Sequence, residues 1–227
     1  MSFLNSFLFG IYPYIASSVF LLGSLARFER EQYTWKSDSS QLLHTGTLRI
    51  GNLLFHVGIL GLFFGHLVGL LTPVAVWDAL GVAHSLKQQV AMGAGGLMGS
   101  LCLIGLLLLI VRRVSNPRIR AVTRKGDVVL LAWLLVTLLL GLSTIAVSAG
   151  HLDGHVMVQL MTWAQHLMTF RGDAPSFIAG VPLIFKLHLF MGMTLFLIFP
   201  FTRLVHIWSG LASVAYVGRA WQLVRSR

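Results

Sequence analysis

The sequence predicts an all-α, polytopic membrane bundle of five transmembrane helices, and three observations carry that prediction. Of the 227 residues 56% are hydrophobic and 11% charged, whereas a soluble domain carries about 25% charged residues. Mean hydropathy is +0.81. Apolar runs cover roughly 3–26, 52–72, 88–111, 127–148 and 181–201. Each holds about 20 residues, and at ~1.5 Å rise per residue that crosses a ~30 Å hydrocarbon core. Lipid cannot satisfy an exposed backbone, so spans of this kind are helical.

The first run precedes Arg27, the first basic residue. No positive segment leads it, so it is expected to stay as a span rather than be cleaved as a signal peptide. Charge then alternates between the connections. Arg27, Arg30, Lys36 and Arg49 flank the first, Arg112, Arg113, Arg118, Arg120, Arg124 and Lys125 fill the third, and Arg203, Arg219, Arg225 and Arg227 follow the fifth span. The other side receives only Lys87, Arg171 and Lys186. The positive-inside rule therefore places the N-terminus outside, periplasmic in a bacterial inner membrane, and the C-terminal tail in the cytoplasm. The net charge of +10 is thus a topology signal, and nucleic acid is not an expected partner. The fourth connection, 149–180, is too long for a turn. Within it Val156, Leu160, Met161, Ala164, Leu167 and Met168 recur at helical spacing. That pattern predicts an amphipathic helix on the outer membrane surface, either capping a site or simply packing there.

Chemistry concentrates in histidines. Of nine, His44, His84, His151, His155 and His166 fall in connections, where solvent exposure is expected. His56 and His66 lie in the second span, His188 in the fifth and His206 just beyond it. Ionisable groups inside spans usually mark function, and two on each of two helices is the number needed for two bis-histidine haems. The two helices run in opposite directions, so His66 pairs with His188 near the outer face and His56 with His206 near the inner face. Ten residues separate the first two and eighteen the second two, rises of ~15 and ~27 Å in unbroken helix. The mismatch calls for tilt or for a distorted fifth helix, and Pro200 is placed to supply the distortion. Gly58, Gly61, Gly65 and Gly69 line the second span at intervals of three or four, where they admit a macrocycle or a neighbouring helix. Arg112, Arg113 and Arg203 are candidate cations for haem propionates, or membrane anchors. The single cysteine, Cys102, excludes disulfide, zinc-cluster and Fe–S chemistry by this chain alone.

Over nearly its whole length the chain resembles the gamma subunit, the cytochrome b, of membrane-bound respiratory nitrate reductase. The resemblance is carried by NSFLFGIYPYIASSVFLLGS, EQYTWKSDSSQ, NLLFHVGILGLFFGHLVGLLTP, LCLIG, IFKLHLFMGMTLFLIFPFTRLVHIWS and QLVR. It implies two b haems, the outer held by His66 and His188 and the inner by His56 and His206. It also implies a site for quinol, menaquinol or ubiquinol, around Gly65, His66 and Lys87. A cation at Lys87 favours the deprotonated quinol that gives up electrons, although a lysine at a helix start also snorkels for no functional reason. Electrons would pass to an Fe–S beta subunit and then to a molybdenum-containing alpha subunit that reduces nitrate. In this reading residues 1–206 form the di-haem domain and the cationic 207–227, with Trp208, Tyr216 and Trp221, the tail that docks those partners. The alternatives are a cytochrome b of another quinone-linked complex (formate dehydrogenase, hydrogenase or heterodisulfide-reductase-like), a haem-free transporter or proton relay, and a passive anchor. The relay is disfavoured because Asp127 is the sole acidic residue even at a span margin, and an anchor leaves four paired histidines unexplained.

Overall fold

The computed structural model describes residues 2–31 and 46–209. Lys36 and His44 in the first connection, and the tail beyond Ser209, lie outside the described residues. Among the described residues five helices are long and apolar enough to cross a membrane: α1 (Phe3–Arg30), α2 (Gly46–Leu71), α4 (His84–Ser115), α6 (Lys125–Ala149) and the segment Leu183–Phe201, whose helical core is α9 (Leu183–Ile198). Short helices α3 (Val74–Ala79), α5 (Pro117–Ala121) and α8 (Ala174–Ile178) join them. The remaining helix, α7 (His155–Met168), is the amphipathic element expected in the fourth connection. No strand occurs among the described residues.

α2 and α4 are the most intimate pair, and glycine makes them so. A Cβ on Gly58 would meet the Cys102 backbone nitrogen at 2.4 Å, and one on Gly105 would meet that of Phe55 at 2.3 Å. A Cβ on Gly61 would strike Met98 Sδ at 2.6 Å. These glycines serve helix packing. Gly65 and Gly69, on the same helix, face open space: a Cβ on either would find no other atom within 4 Å. Gly58, Gly61, Gly65 and Gly69 therefore divide into two that seat a helix and two that leave a hollow.

α7 does more than lie on a surface. Trp163, Ala164 and Leu167 are buried against Phe9, Ala174, Ile178 and Phe185, and Met161 is buried beside Lys87. The reason is local. Pro13 has no N–H, so the carbonyl of Phe9 loses its helical partner four residues on. α1 widens into a π-turn at Phe7–Ile11, and Trp163 Nε1 donates to that carbonyl at 2.8 Å. Met168, expected on the apolar face, is 64% exposed, because Thr169 and Phe170 already leave the helix and turn the chain away. His166, expected in solvent, is only 16% exposed; its Nδ1 lies 2.7 Å from Asp173 Oδ1 and its ring 4.8 Å from that of Phe177. That bond holds the Asp173 carboxyl below its ordinary range. His84 likewise starts α4 rather than sitting free in a loop, 3.2 Å from Asp78.

Candidate functional site

The four membrane histidines meet in pairs. The His66 and His188 rings are 5.9 Å apart, centre to centre, and the His56 and His206 rings 6.3 Å. At those separations each pair of imidazoles would be able to hold one metal ion between them. Each Nδ1 lies against a backbone carbonyl: His56 on Asn52 at 2.8 Å, His66 on Leu62 at 2.7 Å, His188 on Thr137 at 3.0 Å and His206 on Arg203 at 2.6 Å. A carbonyl only accepts, so the proton is on Nδ1 and Nε2 keeps its lone pair. This is the tautomer and outer-shell bond of a metal-ligating histidine. The donor set, spacing and tautomer fit two bis-histidine haems, which His66 with His188 and His56 with His206 would hold.

The second pair is reached because the fifth span breaks. α9 ends at Ile198, and Phe199–Phe201 and Arg203–Val205 are short 3₁₀ turns on either side of an extended Thr202. Pro200 cannot donate to Phe196, whose carbonyl is taken by the N–H of Phe199 instead. The ~27 Å of straight helix never forms.

His188 owes its position to a residue that sequence reasoning missed. Gly141 on α6 has no side chain, and a Cβ there would lie 2.8 Å from His188 Cε1. The only sequence signal is a lone glycine inside a leucine-rich run. Gly141→Val is expected to push the ring off Thr137 and cost about 1–3 kcal/mol by overpacking, read as a lowered unfolding temperature in detergent.

Beside the His66–His188 pair lies a groove of about 200 Å³, bordered by Gly65, His66, Gly69, Lys87, Gly95 and Met157. Its hollow is the open space left by Gly65 and Gly69. An apolar cavity of about 150 Å³ takes one benzene ring, so the groove has room for a single aromatic head group. Met157 belongs to α7, which therefore caps the hollow. Lys87 is buried at 7% exposure rather than snorkelling outward. Its Nζ donates to Gly69 O at 3.1 Å and Met161 Sδ at 2.7 Å, and lies 4.6 Å from the centre of the Trp77 ring. The next residue, Gln88, ties the end of α6 to α4: it donates to Ser148 O and His151 O at 3.0 and 2.8 Å and accepts from Gly154 N at 2.8 Å.

The arginines separate. Arg112 is buried at the far end of α4 with 7% exposure. Arg203 is held by Asp127 through two contacts, Nε–Oδ1 at 2.8 Å and Nη2–Oδ2 at 2.6 Å, and Arg113 reaches the same carboxylate at 3.2 Å. Asp127 thus sits in an ion-pair cluster with Arg203 and Arg113.

Comparison with known proteins matches the chain to a family. The family model of the nitrate reductase gamma subunit matches residues 5–227. The chain belongs to the nitrate reductase gamma subunit family. It is 51% identical over 227 residues to the respiratory nitrate reductase 1 gamma chain of Escherichia coli (strain K12), covering 100% of both chains. Identity to the respiratory nitrate reductase 2 gamma chain of the same organism is 48%, covering 100% of this chain and 99% of the relative. The nitrate reductase gamma chain of Bacillus subtilis (strain 168) is 34% identical over 220 residues, 97% of each chain. Membership and five apolar helices together make this gamma-family chain a multi-pass membrane protein.

Proposed function

We propose that the chain is the membrane cytochrome b subunit of a respiratory nitrate reductase and oxidises quinol at the groove beside His66. The observation that carries this reading is the meeting of four histidines, three in spans and His206 just beyond one, in two pairs with ring centres 5.9 and 6.3 Å apart and each Nδ1 on a carbonyl. His66 and His188 would hold an outer haem b, and His56 and His206 an inner one. Arg112 is the candidate cation for a propionate at the inner end, with Arg203 contributing there from its Asp127 pair. When bound, the two haems supply one-electron transfer across the bilayer.

The residues of the groove do the rest. Gly65 and Gly69 leave room for the quinol ring, Met157 and α7 keep bulk water away, and Lys87 directs a cation to it. A lysine ammonium has three donors, and bonding a quinol oxygen stabilises its anion relative to the neutral form. Oxidation of the quinol releases two electrons and two protons. Because His66 both borders the groove and belongs to the outer pair, the electrons leave at the point of oxidation. The charge alternation of the connections supports a periplasmic N-terminus, proton release outside and a cytoplasmic tail in the bacterial inner membrane. There an Fe–S beta subunit and a molybdenum-containing alpha subunit would accept the electrons, with residues 207–227 as docking tail.

A reduced-minus-oxidised visible spectrum of gently purified chain, with haem counted per chain, tests the proposal. Two b haems reducible by a quinol analogue are expected. A chain without haem would overturn it.

A further inference from the structure

The broken fifth span poses a physical problem. A break in a membrane helix strips carbonyls of their partners, and lipid supplies none. Between Pro200 and Thr202 those carbonyls are met from α1: Arg27 Nη1 donates to Pro200 O at 2.7 Å and to Thr202 O at 2.9 Å. One turn earlier, Gly23 gives Pro200 its seat, since a Cβ there would stand 2.8 Å from Pro200 Cγ. One turn earlier again, Phe20 packs edge-on to Phe196 and Phe199 at 5.3 and 4.8 Å. Phe20, Gly23 and Arg27 fall at i, i+3 and i+7, a single face of α1. An arginine serving only as a topology signal turns its head to water. Arg27 instead turns inward to two carbonyls.

The opposite side of the break is held from α6. Both oxygens of Asp127 meet one edge of the Arg203 guanidinium, Nε at 2.8 Å and Nη2 at 2.6 Å. Arg203 also supplies the carbonyl that receives the His206 Nδ1 proton at 2.6 Å. One residue therefore joins the Asp127 carboxylate to the imidazole that faces His56.

We infer that Arg27 and Asp127 are positioning residues for His206: they clamp the broken segment from two sides and so set the distance between the His56 and His206 rings. The inference rests on the reading of that pair as the inner haem site. Outer-shell partners of a metal-ligating histidine change metal affinity about 10–100-fold, and Arg27 and Asp127 act one step further out, through Arg203 and the segment itself. Loss of either therefore acts on the inner site and spares the outer one, whose histidines hang on Leu62 and Thr137.

The test uses the full chain in membranes, expressed with its partners. Haem is counted per chain and the low-spin electron paramagnetic resonance signals are recorded, with His206→Ala and His188→Ala assigning inner and outer signals. A parent without two haems refutes the functional reading itself. Given two, Arg27→Met and Asp127→Asn are expected to shift the inner signal or lower inner-haem affinity by about tenfold while the outer signal stays. Arg27→Lys, which can still donate to one carbonyl, is expected to restore most of it. An unchanged inner signal overturns the inference. So does joint loss of both signals in Arg27→Met and Asp127→Asn, which would assign these residues to assembly of the whole bundle.

Discussion

Replacing His188 with alanine is expected to leave the chain with one haem and no measurable quinol oxidation, and His66→Ala is expected to do the same. Both rings face each other at 5.9 Å, so neither has another imidazole to take its place, and α2 and α9 carry no further histidine between the pairs. Changes in the outer shell alone cost about 10–100-fold in metal affinity; removal of a ligand costs more. The inner pair stands about 15 Å away along α2 and keeps its own carbonyl partners, so its haem is expected to stay. Haem per chain, measured beside the oxidation rate of a quinol analogue, separates the outcomes. Two haems retained in either variant would contradict the pairing. The reciprocal variant His56→Ala is expected to retain quinol-analogue binding, because the groove borders His66 and not His56.

Lys87→Ala gives the second large effect, and of a different kind. Both haems are expected to remain, while a quinol analogue binds about 10–100-fold more weakly, the equivalent of a charge-assisted hydrogen bond of about 1.5–3 kcal/mol. The ammonium is anchored by Gly69 O, Met161 Sδ and the Trp77 face, so removal also loosens the seam between α2, α4 and α7. The haem spectrum guards against confusing the two effects. Weakened binding with an intact spectrum places Lys87 in the quinol site; unchanged affinity removes it.

Much of the site is legible in the sequence because the bilayer makes a coarse but strict demand. Apolar length declares a span, and a histidine inside one is rare enough to count. From span direction alone, His66 goes with His188 and His56 with His206, and the rings do meet in those pairs. The boundaries differ by a few residues, as at the third span, read at 88–111 and observed as His84–Ser115. The error there had a cost, since it left His84 in a loop when it begins the helix. Thr137 carries no periodic or compositional mark, and Gly141 only that of a glycine in a leucine-rich run. Their role exists only once α6 packs against α9. The same holds for Trp163, whose indole N–H answers a carbonyl orphaned by Pro13, 150 residues away in sequence.

Sequence by itself determined the five apolar spans, set four histidines in or just beyond two of them, and left tilt or a distortion near Pro200 to reconcile their unequal spacing. Hydropathy, helix rise and the missing proline N–H are properties of residues one at a time, and they survive without coordinates. Tertiary structure alone decided which glycines seat a helix and which leave a groove, that Met157 of α7 borders that groove, and that Arg27, Arg203 and Asp127 turn to partners around the broken helix. Those are decisions about direction. A side chain's charge is written in the sequence, but the partner it satisfies depends on which neighbouring backbone is left without one, and that is known only when the helices are packed.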